Sequence, residues 1–322
     1  MKIYPANNVN IKLAAKLLLN NGIVSFPTET VYGLGALASN NDAVKRVYKV
    51  KGRPKNNPLI VHVYKIEQVI SIVEKIPLNA MELIKKYWPG PLTIILPYNN
   101  SSNISNVARS GLNTVALRIP NHPVALKLLE IVDAPLIAPS ANISQHLSPT
   151  SADHVNNDLS SKLNIKKDMI LDGGNTDIGV ESTVVDFTKT TPKVLRPGGL
   201  NISLINKTVK TSYDESSINE QKPQSPGLFK KHYSPNASLR LNAEFPLEGE
   251  AWLGFGKDPK NLDNFIKINL SKTENLEEAA KNLFSMLRYL DRKKVKKIAV
   301  KKIQNKGIGI AINDRLNRGA AN

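Results

Sequence analysis

The 322-residue sequence contains no cysteine. A disulfide framework, a zinc site built on thiolates and a cysteine nucleophile are therefore excluded. No run of about 18 apolar residues occurs, so we expect no membrane-spanning helix. The first twelve residues, MKIYPANNVNIK, lack the apolar stretch of a secretory signal peptide. From these absences we expect a cytoplasmic protein with no membrane contact.

Aromatic residues are scarce, at 6% of the chain. Proteins that bind single-stranded nucleic acid usually stack bases on aromatic rings, so this content argues against such a module. The phosphate-binding loop motif G-x-x-x-x-G-K-[ST] is absent. Gly33 and Gly35 fit a relaxed dinucleotide fingerprint, but no acidic residue follows about twenty positions later. These glycines indicate backbone packing instead.

Basic residues outnumber acidic ones by 44 to 27, which gives a formal net charge of +17. Such an excess is typical of a protein with a polyanionic partner. A general bias of composition toward Lys, Asn and Ile explains it equally well. The length corresponds to about two domains.

Alternating strand and helix patterns predict an α/β fold with a mixed sheet. Asn40 or Asn41 is expected to cap a helix that ends near Val50. The polar segment 206–247 is predicted to be a linker or lid, because it has few periodic apolar residues. The predicted units are a catalytic domain at 1–205, the linker at 206–247 and a small α/β domain at 248–322.

Polar and basic side chains follow two predicted strands near the start of the chain. The strand at 22–26 is followed by Thr28, Glu29 and Thr30, and the basic segment 51–55 precedes the strand at 59–63. Polar groups at the end of a strand commonly form ligand sites. Charge alone favours a solvated basic turn, but the Asn57-Pro58 dipeptide fixes the turn and favours a phosphate site.

Three further side chains lie on predicted strands. His62 interrupts an apolar strand and, by itself, fits a buried core histidine. Thr114 and Arg118 are four residues apart on one strand and therefore share a face. An arginine at a strand end that faces a cleft suits a carboxylate ligand.

The segments PTETVYGLG and KGRPKNNPLIVHV resemble the signature of YrdC-type threonylcarbamoyl-AMP synthases. The later segments APSANIS, ESTVVDF, LRPGG and SPGLFKKHYSP resemble the long, two-domain form of that family, in the same order. This resemblance implies a YrdC-like twisted mixed sheet with helices. It also implies a small C-terminal Rossmann-like α/β domain.

The resemblance also implies roles for individual residues, with Lys51 and Arg53 as the catalytic pair. The residues placed on ATP are Lys51, Arg53, Asn57, Thr114, Ser140, Ser148, Arg196 and Tyr233. Those placed on threonine are Thr30, His62, Arg118, Ser182 and the backbone at Ala138. No protein side chain is expected to bind a metal, because Mg²⁺ would arrive on the ATP phosphates.

The implied reaction converts L-threonine, bicarbonate and ATP into threonylcarbamoyl-AMP and pyrophosphate. The attacking group, carboxylated threonine, is already an anion, so positive charge and alignment are needed rather than a general base. The implied partner is a downstream transferase that modifies the adenosine next to the anticodon of certain tRNAs. A direct tRNA contact is a further expectation.

Two alternatives stay open at this point. One is an RNA-binding protein without catalysis, which the net charge supports. The other is carbamoyl transfer to a different acceptor, as in carbamoyltransferase maturation proteins, although the C-terminal domain favours the tRNA pathway. In the linker, Pro226-Gly227 and Ser234-Pro235 restrict the backbone on both sides of an aromatic and basic segment. This arrangement predicts a lid over an anionic ligand.

Overall fold

A computed structural model describes residues 1–213, 225, 227, 229 and 231–321. It contains an 11-stranded sheet and a 4-stranded sheet. The strands of the large sheet are β1 (Ile3–Pro5), β2 (Val24–Phe26), β3 (Gly33–Leu37), β4 (Ile60–His62), β5 (Leu92–Pro97), β6 (Thr114–Arg118), β7 (Leu136–Ile137), β8 (Met169–Asp172), β9 (Thr183–Asp186), β10 (Lys193–Arg196) and β11 (Ser212–Tyr213). Their order is β1-β8-β2-β3-β7-β4-β6-β5-β9-β10-β11.

The first domain also contains α-helices, and local sequence signals mark both ends of one of them. Its helices are α1 (Asn8–Leu19), α2 (Asn41–Lys51), α3 (Ile66–Ile72), α4 (Leu78–Tyr87), α5 (Pro123–Val132), α6 (Ala152–Leu159) and α7 (Ile202–Asn206). The side chain of Asn40 accepts a hydrogen bond from Ala43 N and caps α2, as predicted. Gly52, with φ of +62°, ends the same helix.

The large sheet is mixed, as the sequence predicted. The order of its central strands brings distant parts of the chain together at one edge. In the parallel pair of β4 and β6, His62 lies opposite Arg118. The antiparallel neighbour β7 begins opposite His62, at Leu136, and just after its end Ala138 N donates to Ile60 O over 3.1 Å. Three residues predicted to face threonine are therefore neighbours.

The second sheet consists of β12 (Ser238–Ala243), β13 (Glu250–Gly254), β14 (Lys267–Asn269) and β15 (Lys297–Lys301), with helices α8 (Leu276–Arg292) and α9 (Gly309–Ala320). Every pair in it is parallel, in the order β12-β15-β13-β14. The α/β class of this domain is confirmed. Its Rossmann-like topology is not, because the first strand lies at an edge instead of at the centre of the sheet.

The segment 206–247, predicted as a linker, contributes a strand to each sheet. Strand β11 pairs with β10 of the large sheet, and β12 pairs with β15 of the small one. The exact domain boundaries stay a prediction. Within the predicted lid, residues 226, 228 and 230 lie outside the described residues.

The two domains share one hydrophobic cluster. Val31, Leu147 and Val180 of the first domain pack in the same cluster as Leu283 and Phe284 of α8. Burial of this apolar surface fixes the C-terminal domain against the first domain. In the part of the chain that the structure describes, no helix is long and apolar enough to cross a membrane.

Candidate active site

A cavity lined by both polar and apolar groups lies where β4, β6 and β7 meet. Its volume is about 50 Å³. The residues predicted for the site that line it are Thr30, Arg53, His62, Arg118, Ala138, Ser140, Ser182, Arg196 and Tyr233. Residues from positions 28 to 233 therefore meet in one place, and the residues predicted for threonine and for ATP share its walls.

The turn after β2 is held by its own hydroxyl groups. Thr28 Oγ1 lies 2.8 Å from Thr30 Oγ1 and donates to Val31 O over 2.7 Å. The backbone N–H groups of Thr30 and Val31 both donate to Thr28 Oγ1 over 3.2 Å. This local network fixes Thr30 at the cavity wall, and it explains why a threonine begins the turn.

Arg118, predicted to bind the carboxylate of a ligand, forms an ion pair with a carboxylate of the protein. Its Nη2 lies 2.7 Å from Glu29 Oε1, and both side chains are buried. Its Nε donates to Gly90 O over 3.2 Å. A buried guanidinium at a cavity wall suits binding of a second carboxylate from a ligand.

His62 is held in its neutral form. Burial, together with the neighbouring charge of Arg118, lowers the pKa of His62 to about 3. Within the described residues, Nδ1 of His62 has no hydrogen-bond partner. A neutral imidazole with an open nitrogen can bond to a hydroxyl or amine of a ligand.

Two arginines supply positive charge to the cavity. Arg53 donates from Nη2 to Asn57 Oδ1 over 2.6 Å and to Pro58 O over 2.9 Å. Burial lowers the pKa of Arg53 to about 10, so the guanidinium stays charged at neutral pH. Arg196 donates from Nη2 to Ser182 O over 2.8 Å. Their planar guanidinium groups suit phosphate oxygens.

Lys51, predicted to contact phosphate, lies behind the cavity wall. Its ammonium donates to Ser140 O over 2.5 Å and to Asn142 O over 2.6 Å. It is 1% exposed, and burial lowers the pKa of Lys51 well below its usual value. In this arrangement Lys51 supports the turn that carries Ser140, and its contact with ATP stays a prediction.

Three other residues predicted for ATP do not border the cavity. Asn57 accepts the bond from Arg53, and Thr114 lies at the opposite end of β6 from Arg118. Ser148 Oγ donates to the carboxylate of Glu181. Their contacts with ATP also stay predictions.

Sequence reasoning missed Glu181 as a site residue. It lines the cavity, is 6% exposed, and accepts a 2.7 Å hydrogen bond from Nε of Arg315 in α9. The available signal was a single charged residue directly before Ser182 in an otherwise uncharged stretch, GVESTVV. A charge at such a position requires a buried partner.

Tyr233 closes the cavity. Its ring is 2% exposed and lies 3.9 Å from that of His232, centre to centre. Gly227 lies close to the Tyr233 hydroxyl and has a φ of +82°. A Cβ at this position would lie 2.5 Å from that hydroxyl. Only glycine fits this approach without displacing the tyrosine.

Family models match both domains of the chain. A model described as "Telomere recombination" (Sua5_yciO_yrdC) matches residues 16–198. One described as "Threonylcarbamoyl-AMP synthase, C-terminal domain" matches residues 200–321. The chain belongs to the Sua5/YrdC family of threonylcarbamoyl-AMP synthases. The resemblance seen in the sequence is thereby confirmed.

Members of this family are similar over nearly the whole chain. The threonylcarbamoyl-AMP synthase of Pyrococcus abyssi is 40% identical, over 96% of this chain and 94% of its own. That of Bacillus subtilis is 39% identical, over 98% and 94%. The crystal structure of P. abyssi Sua5 complexed with L-threonine has a TM-score of 0.91 at 38% identity, covering 99% of this chain and 98% of the other. The two-domain architecture is therefore that of Sua5.

Proposed function

We propose that the protein is an L-threonylcarbamoyladenylate synthase, a nucleotidyltransferase. It converts L-threonine, bicarbonate and ATP into threonylcarbamoyl-AMP and pyrophosphate. The observation that carries this proposal is the cavity in which His62 and Arg118, suited to an amino acid, face Arg53 and Arg196, suited to phosphates. The full-length similarity to threonylcarbamoyl-AMP synthases supports the same activity over RNA binding without catalysis.

Threonine is proposed to bind with its carboxylate at Arg118. The ligand would share the guanidinium with Glu29, whose ion pair keeps Arg118 at the wall. Neutral His62, which lies opposite Arg118 in the β4–β6 pair, would bond to the amine or hydroxyl of threonine. Thr30, Ser182 and the backbone at Ala138 complete this side of the cavity.

The triphosphate is proposed to bind on the arginine side, at Arg53 and Arg196. Carboxylated threonine then attacks the α-phosphate, and the bond to pyrophosphate breaks. Both reactants are anions, so fixed positive charge contributes most where charge develops in the transition state. Lys51, which lies directly behind the Ser140 turn, would join this side by moving from the carbonyl oxygens that it now contacts.

Entry of ATP requires the cavity to enlarge. Its 50 Å³ is well below the roughly 300–1,000 Å³ of typical ligand pockets. Tyr233 and Gly227 form part of the wall, so displacement of their segment would open it. This is the proposed lid, which would exclude water from a readily hydrolysed mixed anhydride once it closes.

Mg²⁺ is proposed to enter with ATP. When bound to phosphate oxygens it supplies positive charge and orients the triphosphate. Glu181, which lines the cavity, and Glu29, which lies behind Arg118, each form an ion pair with an arginine and are not free to bind a metal ion. Among the described residues, no group of three or more His, Cys, Asp or Glu side chains could hold a metal ion.

The product is proposed to pass to a downstream transferase that modifies tRNA next to the anticodon. That transferase, a direct tRNA contact and a cytoplasmic location stay predictions. The test of the activity is an assay of pyrophosphate release from which each substrate is omitted in turn. Release should require both threonine and bicarbonate. Equal release without bicarbonate, or with serine in place of threonine, would refute the proposal.

A further inference from the structure

One arginine of the C-terminal helix α9 reaches the edge of the substrate cavity. Arg315 is 1% exposed. Its Nε donates to Glu181 Oε2 over 2.7 Å, and its Nη2 donates to Pro197 O over 3.0 Å. Its guanidinium lies 4.8 Å from the centre of the Tyr233 ring. A single side chain of the C-terminal domain thus contacts three separate segments at the site.

Neighbouring groups on α9 hold this arginine and the segment over the cavity. The carboxylate of Asp314 accepts hydrogen bonds from Arg315 and, over 2.9 Å, from Arg318 Nε. Arg318 Nη1 donates to Phe229 O over 2.8 Å, and Arg318 O accepts from His232 N over 3.2 Å. The helix therefore binds the backbone of the proposed lid on both sides of Lys231.

The buried carboxylate of Glu181 requires a neighbouring cation to balance its negative charge. Glu181 lines the cavity together with Arg53 and Arg196, where the triphosphate is proposed to bind. Burial alone would raise the pKa of Glu181, but the cations Arg315 and Arg196 lower it, so the carboxylate is ionised. An anion at this wall would repel a triphosphate unless a fixed cation balanced it.

We propose that Arg315 is a positioning residue for the reaction. From the C-terminal domain it neutralises Glu181 and fixes Tyr233, so that the cavity accepts ATP and closes over it. This inference rests on the proposed function. It gives the C-terminal domain a direct part in catalysis, beyond its packing against the first domain.

A second ion pair between the two domains serves as a control for the proposed role of Arg315. Arg288 of α8 also forms an ion pair across the domains, with 2.7 Å between its Nη2 and Asp158 Oδ2, and both side chains are largely buried. Asp158 does not line the substrate cavity. Loss of either pair weakens domain contact, but only loss of the Arg315 pair should alter the use of ATP.

The experiment compares Arg315→Met, Arg315→Met/Glu181→Gln and Asp158→Asn with the wild-type protein. Threonine-dependent pyrophosphate release is measured over a range of ATP concentrations, and thermal unfolding shows that each variant is folded. Arg315→Gln replaces Arg315→Met if the latter does not fold, because it removes the charge but keeps a side chain that can donate a hydrogen bond to Glu181. A wild-type protein without threonine-dependent release would refute the proposed function, not this inference.

We expect Arg315→Met to lower kcat/KM for ATP by about tenfold or more, as for loss of a charged hydrogen bond. Adding Glu181→Gln should recover part of that loss, because it removes the unbalanced anion. Asp158→Asn should leave kcat/KM for ATP unchanged. Unchanged ATP use in a folded Arg315 variant, or a double variant no better than Arg315→Met, would overturn the proposal.

The pH dependence of ATP use shows whether Arg315 acts by balancing the charge of Glu181 or only by holding the structure together. The charged and titratable groups that face Glu181 are Arg315, Arg196 and Tyr233. Without Arg315 the pKa of Glu181 should rise, so ATP use by Arg315→Met should fall as pH increases and the carboxylate ionises. The Arg315→Met/Glu181→Gln variant should not show this fall in ATP use with increasing pH. Identical profiles for the two variants would contradict the inference.

Discussion

Arg118 and Glu29 form a buried ion pair, with 2.7 Å between Nη2 and Oε1, at the wall of the cavity. This pair and the bond from Arg118 Nε to Gly90 O hold the guanidinium in place, which lowers the cost of ordering it when threonine binds. The protein's own carboxylate also prevents Arg118 from being a buried, uncompensated charge. Threonine would add a second carboxylate to the same guanidinium.

Replacing Arg118 with alanine should raise the KM for threonine by about tenfold or more, since a charged hydrogen bond contributes about 1.5–3 kcal/mol. The KM for ATP should change far less, because Arg53 and Arg196 remain. Steady-state kinetics with each substrate varied in turn provides the measurement.

Arg46→Ala is the matched control for that variant. Arg46 also forms an ion pair with a buried carboxylate, that of Asp168 at 2.8 Å, but its side chain is 34% exposed and lines no part of the cavity. It should lose stability and keep its KM for threonine. A fall in ATP affinity without a change in threonine dependence in Arg118→Ala would show that the residue roles are wrongly assigned.

Gly227→Ala should displace Tyr233 and lower the rate of threonylcarbamoyl-AMP formation, because the new Cβ would lie 2.5 Å from the tyrosine hydroxyl. Gly249→Ala is the control: its φ is +79°, close to the +82° of Gly227, but it has no atom within 4 Å of its Cβ position. Both variants should lose about 1–2 kcal/mol of stability from the left-handed backbone. Equal activity in the two variants would contradict the packing of Tyr233 against Gly227.

Tyr233→Ala should leave the fold intact and lower the yield of threonylcarbamoyl-AMP per pyrophosphate released. The reason is that the ring closes the cavity, and its loss admits water to a mixed anhydride. The ratio of the two products is the measurement, with circular dichroism as the folding control. If a folded variant keeps the wild-type ratio, the segment 225–235 serves only to connect the two domains.

His62 should make the protein less stable in acid. Its folded pKa is about 3, whereas an unfolded histidine titrates near 6.5. Between these values the unfolded chain binds a proton that the folded chain does not, so stability falls as pH drops from about 6.5 to 3. The contribution of one such group is at most about 1.4 kcal/mol per pH unit.

Urea unfolding at several pH values tests this expectation. His62→Gln should show a shallower loss of stability between pH 6 and pH 4 than the wild-type protein. Parallel curves for the two proteins would mean that His62 is protonated in the folded state at these pH values.

Features with local signals could be predicted from the sequence. The start of α2 follows from the Asn40 cap and its end from Gly52, and the polar turn after β2 is held by its own hydroxyl groups. The strand β3 (Gly33–Leu37) was missed, because its glycines carry no strand signal. Its pairing with β2 and β7 stabilises it instead.

The parts of the site that depend on distant partners could not be predicted. Glu181 and Arg315 are separated by 134 residues, and no spacing rule connects them. Lys51 lies in a basic segment that suggests phosphate contact, but its ammonium bonds to carbonyl oxygens of a turn some ninety residues later. The contact of Lys51 depends on how the chain folds around the large sheet, and that of Arg315 depends on the packing of α9 against the first domain. The sequence pattern specifies neither.

The most direct test of the proposed activity follows carbon from bicarbonate into a nucleotide. The protein is incubated with ATP, L-threonine and ¹³C-labelled bicarbonate, and the nucleotides are analysed by mass spectrometry. We expect a labelled product that contains AMP, threonine and one carbon from bicarbonate, formed together with pyrophosphate. Release of AMP or ADP with no labelled adduct, by an enzyme shown to be folded, would contradict the proposed activity.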